Sequence, residues 1–179
     1  MPALSGREVT TDTLLLARLA SDVQSSVCFD LGTGTGEVLS NARLRNVFSV
    51  GIDVSFEALA LFDRSTGQPV LCSVEAVPLM FRKGCADLVL ANPPYNVVDH
   101  GRKSPDPLRR EAREGDSLLL HRFIFAGAHL LREGGSLIVT GRHERREEIE
   151  FGFRAAGFCC IEKYDQGRII AVKALLKNS

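Results

Sequence analysis

Four residues that follow an apolar run could hold an amino group for reaction. Residues 86–91, Ala-Asp-Leu-Val-Leu-Ala, are typical of a buried strand, and the tetrapeptide after them is Asn92-Pro93-Pro94-Tyr95. Proline lacks a backbone N–H, so a strand in the middle of a sheet must end there. The side-chain oxygen of Asn92 and the carbonyl oxygen of Pro93 then provide two acceptors, and Tyr95 provides a flat ring.

These groups suit the chemistry of a weakly nucleophilic nitrogen. The lone pair of an amide or ring amino group is delocalised, and two acceptors on its N–H bonds favour a pyramidal, more reactive nitrogen. We therefore interpret Asn92, Pro93 and Tyr95 as catalytic, and Pro94 and Tyr95 as contacts to the substrate. The alternative is a proline-rich strand terminator without chemistry, which leaves the asparagine and the tyrosine unexplained.

A glycine-rich turn precedes these residues in the chain. Residues 30–36, Asp-Leu-Gly-Thr-Gly-Thr-Gly, follow a short apolar run, and Asp53 ends the next apolar run. Glycines at such a turn let a ligand approach the backbone, and an acid at the end of the second strand can bind both hydroxyls of a ribose. The alternative is a structural turn with Asp53 capping a helix.

The spacing of the turn favours a nucleoside without phosphate. The dinucleotide pattern requires a third glycine at position 37, where this chain has Glu37, and an acid there would repel a phosphate. Asp30 adds negative charge that suits a cation. S-adenosylmethionine combines an adenosine with a sulfonium cation and carries no phosphate. We predict that it is bound by the residues of the turn and the two strand ends, namely Asp30, Gly32, Thr33, Gly34, Thr35, Gly36, Asp53 and Asn92.

Strands and helices alternate along the chain, which predicts an α/β fold with a mostly parallel, Rossmann-like sheet covered by helices on both faces. The predicted strands are residues 26–32, 47–53, 69–74, 87–92, 136–141, 158–164 and 168–176, the last two as an antiparallel pair. The predicted helices are residues 10–23, 37–44, 55–65, 116–131 and 145–157, with Gly134 and Gly135 as the stop of the fourth. Residues 96–115 are predicted to be an irregular loop on the substrate side.

Length and composition indicate one soluble domain over residues 1–179, with a helical segment at 1–26. The 179 residues contain 22 basic and 22 acidic side chains, so overall charge does not attract nucleic acid. Five cysteines without a CxxC pair favour reduced thiols in a cytoplasmic protein and no metal site. We expect no membrane segment and no signal peptide.

Three stretches of the chain resemble a known enzyme family. The sequences FDLGTGTGEV, VGIDVS and ADLVLANPPY, within residues 27–95, resemble the motifs of class I S-adenosylmethionine-dependent amino-methyltransferases. This resemblance implies a seven-stranded sheet with one antiparallel strand near its edge, and it implies the cofactor and catalytic roles given above. Members often have an acid after the third strand that binds the adenine of the cofactor. Here Ser73 stands at that place and Glu75 follows, so the role stays open.

The resemblance leaves two acceptors open. Residues 92–115 resemble bacterial tRNA adenine-N6 methyltransferases, although Asn96 stands where a hydrophobic residue is usual. The alternative is a glutamine methyltransferase acting on a release factor, and a non-catalytic partner subunit is the alternative outside the enzymes. Basic residues favour RNA, most of all tRNA, because they can bind phosphates. The predicted contacts in the loop are Arg102, Lys103, Arg109, Arg110 and Arg113, and a second basic group is Arg142, His143, Arg145 and Arg146.

Overall fold

The protein is built on one seven-stranded sheet. The computed structural model describes residues 9–94 and 107–177, with the side chains of residues 107–116 outside the description. The strands are β1 Val27–Leu31, β2 Phe48–Asp53, β3 Gln68–Leu71, β4 Ala86–Ala91, β5 Leu131–Arg142, β6 Phe158–Gln166 and β7 Ile169–Leu176. The α-helices are α1 Thr11–Ser21, α2 Glu37–Ala42, α3 Phe56–Ala60, α4 Val77–Met80, α5 Pro107–Leu130 and α6 Arg146–Ala155. A 3₁₀ turn at His143–Arg145 precedes α6.

The sheet has the mostly parallel topology that the alternating elements predict. The strand order is β3-β2-β1-β4-β5-β7-β6, and the first five strands are mutually parallel. Strand β7 is antiparallel to both of its neighbours, β5 and β6. The predictions of an antiparallel closing pair and of one antiparallel strand near the edge are therefore confirmed.

Apolar side chains fill both faces of the sheet, as the prediction of a helix-covered sheet requires. One core packs α5 and α6 against the sheet and contains Phe123, Ile124 and Phe153. The other packs α1 and α2 against the opposite face and contains Leu16 and Leu39. Successive residues of a strand point to opposite faces, so the fully apolar strands contribute to both cores.

The order in which strands are added to the sheet reverses between β1 and β4, and this places a crevice at the carboxyl ends of these two strands. The chain leaves β1 toward β2 and β3 on one side, whereas β4 leads to β5 on the other side. Open α/β sheets bind ligands at such a switch point. The glycine turn after β1 and Asn92 after β4 therefore open into the same crevice.

Helix α5 begins earlier than the sequence predicted. It runs from Pro107 to Leu130, so the second half of the predicted irregular loop, residues 107–115, is helical. Proline is favourable in the first turn of a helix, and the Arg, Glu and Ala residues after it have good helix propensity. The prediction was wrong because these turns lack the apolar periodicity on which it relied. Residues 96–106 lie outside the described residues.

The glycines after α5 do not stop that helix. Strand β5 is assigned from Leu131, so Gly134 and Gly135 lie within its irregular start, where the register to β4 shifts. A Cβ on Gly135 would lie 2.9 Å from the carbonyl oxygen of Arg132 and 3.2 Å from that of Asp87. Gly135 is therefore required by a close approach of backbones, not by a helix end.

The remaining differences from the predicted elements are small. Strand β3 ends at Leu71, earlier than predicted, and the short helix α4 was not predicted.

In the described parts of the chain, no helix has the length and apolar content of a membrane span.

Candidate active site

The turn between β1 and α2 depends on its three glycines. Gly32, Gly34 and Gly36 have φ angles of 70°, 56° and 84°, in the left-handed region that side chains disfavour. A Cβ on Gly36 would also lie 2.7 Å from the ring of Phe62. The N–H of Gly32 donates to the carbonyl oxygen of Ile52 over 2.8 Å, which holds the turn against β2.

Asp53 joins this turn to the end of β2. Its Oδ2 accepts from the N–H of Gly34 over 2.8 Å, and its Oδ1 accepts from the N–H of Ser55 over 2.8 Å. A carboxylate has about four acceptor positions, so these two bonds leave capacity for hydroxyl groups. Asp53 is half-buried and lines the crevice. It can therefore hold the turn and bind a ribose.

Asp30 is a buried acid behind the turn. Only 1% of its surface is exposed, and its Oδ2 accepts from the hydroxyl of Thr33 over 2.7 Å. Burial raises the pKa of Asp30 to about 7; the Thr33 hydrogen bond opposes this shift, and the nearby negative charge of Asp53 adds to it. A cation bound close by would favour the ionised carboxylate.

Two cavities meet at the carboxyl ends of β1 and β4. The first has a volume of about 410 Å³, and its walls include Asp53, Glu75 and Phe123. The second has a volume of about 340 Å³ and is lined by the glycine turn, by Thr10 and Thr13 of the α1 region, and by Glu37 and Val38. Gly32 and Asn92 border both cavities.

Asn92 is therefore at the junction of the crevice. Its side-chain Oδ1 accepts from the hydroxyl of Thr140 over 2.8 Å. Pro93 is buried and Pro94 is exposed and lines the first cavity. Tyr95 lies outside the described residues.

Comparison with known proteins connects this geometry to methyltransferases. No protein-family model matches the chain. Two curated relatives, from Parabacteroides distasonis and Bacteroides thetaiotaomicron, are both named tRNA1(Val) (adenine(37)-N6)-methyltransferase. The first is 27% identical over 150 residues, which cover 79% of this chain and 62% of the relative. The second is 29% identical over 145 residues, which cover 74% and 59%. The matches thus span about three-fifths of each relative's length.

Solved structures share this architecture, and two of the following three proteins are named as a methylase or a methyltransferase. TrmN from Thermus thermophilus has a TM-score of 0.69 at 22% identity, covering 98% of this chain and 51% of that one. The ribosomal protein L11 methylase from Lactobacillus delbrueckii subsp. bulgaricus has a TM-score of 0.69 at 20% identity, covering 94% and 80%. A SAM-dependent O-methyltransferase from Thermotoga maritima has a TM-score of 0.68 at 11% identity, covering 98% and 69%. The fold is that of the class I methyltransferases.

The crevice of this class I methyltransferase fold fits S-adenosylmethionine. The first cavity combines the Asp53 carboxylate, which suits a ribose, with apolar walls that suit an adenine ring. The second cavity is more polar than the first, and it is bordered by the turn that Asp30 supports through Thr33. Thr33 and Thr35 both line this second cavity. Of the predicted cofactor residues, all except Asp30 and Gly36 border one of the two cavities.

The first cavity also contains Glu75, one of the two residues at which the sequence left the adenine-binding role open. Glu75 lines it, and its carboxylate forms an ion pair of 2.7 Å with Arg122 of α5. Hydrogen bonds from its own backbone, from Ser73 and from Arg122 lower the pKa of Glu75. An ionised Glu75 can accept from the amino group of an adenine, which is the role that was left open at Ser73 and Glu75.

The apolar wall of the first cavity comes from three separate elements. Its members are Val54, Cys72, Val74, Leu119 and Phe123. Val54 directly follows β2, so the sequence alone places it at the carboxyl end of that strand. The two α5 residues stand four positions apart, on one face of the helix. Only the packing of α5 against β4 brings that face to the cavity.

Three members of the second basic group, His143, Arg145 and Arg146, form ion pairs in the structure. Arg145 forms two hydrogen bonds to Glu148, of 2.9 and 2.8 Å. Arg146 pairs with Glu150 over 3.2 Å, and Nε2 of His143 lies 3.1 Å from Asp165. Acids next to these residues in α6 and β6 therefore already compensate much of their charge. The loop residues Arg102 and Lys103, and the side chains of Arg109, Arg110 and Arg113, lie outside the described residues.

The raised pKa of Asp30 predicts an unusual dependence of stability on pH. The folded protein keeps a proton on Asp30 up to about pH 7, whereas an ordinary aspartate loses it near its pKa of 3.8. The folded state thus binds more protons between these values, and the contribution of Asp30 to stability falls as the pH rises from 3.8 to about 7.

Asp30→Asn should remove this dependence. Its amide oxygen can still accept from Thr33, and no charge is buried. We expect the variant to exceed the wild type in unfolding free energy by roughly 2–4 kcal/mol at pH 8, and by little near pH 4. Urea denaturation across this range measures the difference. Calorimetry at pH 8 should show weaker binding of S-adenosylmethionine by the variant. A stability difference that stays constant with pH would contradict the assignment.

Proposed function

We propose that the protein is an S-adenosylmethionine-dependent N-methyltransferase that methylates the exocyclic amino group of an adenine in RNA, most of all in tRNA. The observation that carries this proposal is the position of Asn92. It borders both the cavity that contains Asp53 and the cavity formed by the glycine turn, so an acceptor at Asn92 would be adjacent to a cofactor in the crevice.

The chemistry requires hydrogen-bond acceptors, not an imidazole or a thiolate. S-adenosylmethionine supplies the methyl group when it is bound. Oδ1 of Asn92 and the carbonyl oxygen of Pro93 can accept the two N–H bonds of the target amino group, and they stabilise the positive charge that develops on nitrogen. The ring of buried Pro93 fixes its φ angle, and the following Pro94 restricts its ψ angle, so the direction of the second acceptor is restricted. The ring of Tyr95 provides a stacking surface for the base.

Three observations favour adenine in RNA over other amino groups. Both curated relatives carry a tRNA adenine methyltransferase name. The sequence after Asn92 resembles that group of enzymes over residues 92–115. Five basic side chains lie between residues 102 and 113 against two acids, Asp106 and Glu111. Because His143, Arg145 and Arg146 of the second basic group are ion-paired, the phosphate contacts of this proposal come mainly from residues 102–113.

Transfer of label from S-adenosylmethionine into fractionated RNA and protein tests the function. Wild-type protein is incubated with labelled cofactor and, in separate reactions, with unmodified total tRNA and with purified release factors. We expect N6-methyladenosine in tRNA. If label were found only in a release factor, the acceptor would be glutamine and not adenine. Cofactor binding without label in either fraction would favour a non-catalytic partner subunit.

RNA binding through residues 102–113 predicts a strong dependence on salt. Each phosphate that a basic side chain neutralises releases condensed counterions, so affinity falls as salt rises. Replacing both Arg109 and Arg110 by glutamate should weaken tRNA binding and flatten the slope of log K against log salt by roughly 1–2. Affinity for S-adenosylmethionine should not change. Filter binding between 50 and 200 mM salt, about the range over which such slopes are resolved, measures the effect.

A matched charge reversal controls for net charge. Arg45 and Arg64 are exposed and precede β2 and β3, at the end of the sheet opposite the crevice. The variant with glutamate at both positions changes the net charge by the same amount and should keep the wild-type salt slope. If both double variants lowered the slope equally, Arg109 and Arg110 would have no specific part in RNA binding.

A further inference from the structure

Thr140 lies directly beside the candidate catalytic asparagine. It belongs to β5, and its side chain is completely buried. Val139 pairs with Ala91 of β4, so the next residues of the two parallel strands, Thr140 and Asn92, are also neighbours. The hydroxyl of Thr140 donates to Oδ1 of Asn92 over 2.8 Å.

The surroundings of Thr140 restrict where its hydroxyl can donate. A hydroxyl has one hydrogen, and the other acceptor recorded for it is the carbonyl oxygen of Ala91, at 3.5 Å. A threonine has few allowed χ1 rotamers because its Cβ is branched. A buried hydroxyl without a partner is also unfavourable. These factors direct the Thr140 hydroxyl to Asn92.

The hydrogen bond from Thr140 determines whether the oxygen or the NH₂ group of the Asn92 carboxamide faces Thr140. The χ2 torsion of asparagine is soft, and a half turn exchanges the oxygen with the NH₂ group. If the NH₂ group of Asn92 were directed at the target, it would face the N–H bonds of the target amino group. Both groups are donors, so neither would have an acceptor. In this structure, a half turn of Asn92 would also replace the 2.8 Å bond from Thr140 with the 3.5 Å contact to Ala91.

We propose that Thr140 is a positioning residue, which holds the Asn92 carboxamide so that its oxygen accepts from the target amino group. This inference rests on the proposed function. Thr140 acts on the nitrogen only through Asn92, so its removal should slow methyl transfer and leave cofactor binding intact. The sequence gives no signal of the pairing, since the two residues stand 48 positions apart.

The test compares Thr140→Val, which removes the hydroxyl and keeps the shape, with Thr140→Ser, which keeps the hydroxyl. Single-turnover rates are measured with saturating labelled S-adenosylmethionine and total tRNA, and in parallel with release factors, so that the acceptor need not be known. We expect the valine variant to react about 10- to 100-fold more slowly, which is the scale of a small misplacement of a reacting group. The serine variant should stay within about threefold of the wild type, and the cofactor Kd should stay unchanged in both.

Ser136→Ala provides the matched control. Ser136 is buried in the same strand, four residues before Thr140 and thus roughly 13 Å away along β5. Its loss should leave the rate unchanged. A valine variant as fast as the wild type would overturn the inference and leave the methyltransferase proposal intact. Equal losses in the valine and serine variants would also overturn it, because a structural defect would then be the cause. A wild-type protein inactive on both acceptors would refute the proposed function itself.

Discussion

Replacing Asn92 with alanine should lower the rate of methyl transfer by about 100- to 1000-fold while the protein stays folded. The substitution removes the side-chain acceptor that would hold the target nitrogen as it becomes tetrahedral. Asn92 follows the last residue of β4 and is half-buried, so no apolar core contact is lost. The rate is measured in single turnovers, and circular dichroism monitors the fold.

Two comparisons separate chemistry from binding in this variant. Cofactor affinity should change much less than the rate, because Asp53 and the glycine turn remain. Asn92→Asp keeps an oxygen that can accept from Thr140 and from an amino group, so its loss of rate should be smaller than that of the alanine variant. An alanine variant with nearly normal turnover would mean that another group holds the amino nitrogen.

Replacing Asp53 with alanine should weaken binding of S-adenosylmethionine by roughly 1–3 kcal/mol, the scale of hydrogen bonds to a charged group. That corresponds to about 5- to 150-fold in Kd. Part of the loss comes from the ribose hydroxyls. Another part comes from the turn, because the N–H groups of Gly34 and Ser55 lose their acceptor. Isothermal calorimetry with the cofactor or with S-adenosylhomocysteine measures the change.

Asp63 is a suitable control for the turn that Asp53 makes. Its Oδ1 accepts from the N–H of Ser65 over 2.9 Å, two residues on, as Oδ1 of Asp53 does from Ser55. Asp63 is exposed and lies before β3, at the amino end of the strands and away from the crevice. Asp63→Ala should therefore leave cofactor affinity unchanged. If the Asp53 and Asp63 variants bound the cofactor equally well, Asp53 would not be a ribose ligand.

The parts of the site that were predictable are those in which short stretches of sequence fix the geometry. Three glycines alternating with threonines after an apolar run require an unusual backbone, and the φ angles of Gly32, Gly34 and Gly36 all lie in the left-handed region. The diproline after Asn92 marks the end of β4 for a similar reason. The switch point of the sheet then brings these two stretches together.

One contact between distant segments and two local features of helices were not predicted from the sequence. Arg122 reaches Glu75 from 47 positions away, because α5 packs over the ends of the strands. The ion pairs of Arg145 and Arg146 are local, since Glu148 and Glu150 lie one helical turn further along the chain, and the helical spacing alone would have indicated them. The first turns of α5 lack an apolar pattern, so periodicity gave no sign that they are helical.

The hydrogen bonds between the glycine turn and β2 have a consequence for the thermodynamics of binding. The N–H groups of Gly32 and Gly34 donate to acceptors of the chain itself, the carbonyl oxygen of Ile52 and the carboxylate of Asp53. The conformational entropy of this flexible, glycine-rich segment is therefore lost when the chain folds, not when a ligand arrives. Such preorganisation leaves more of the interaction energy available as affinity. Hydrogen exchange at the Gly34 amide should accordingly be slow in the ligand-free protein and change little when the cofactor binds.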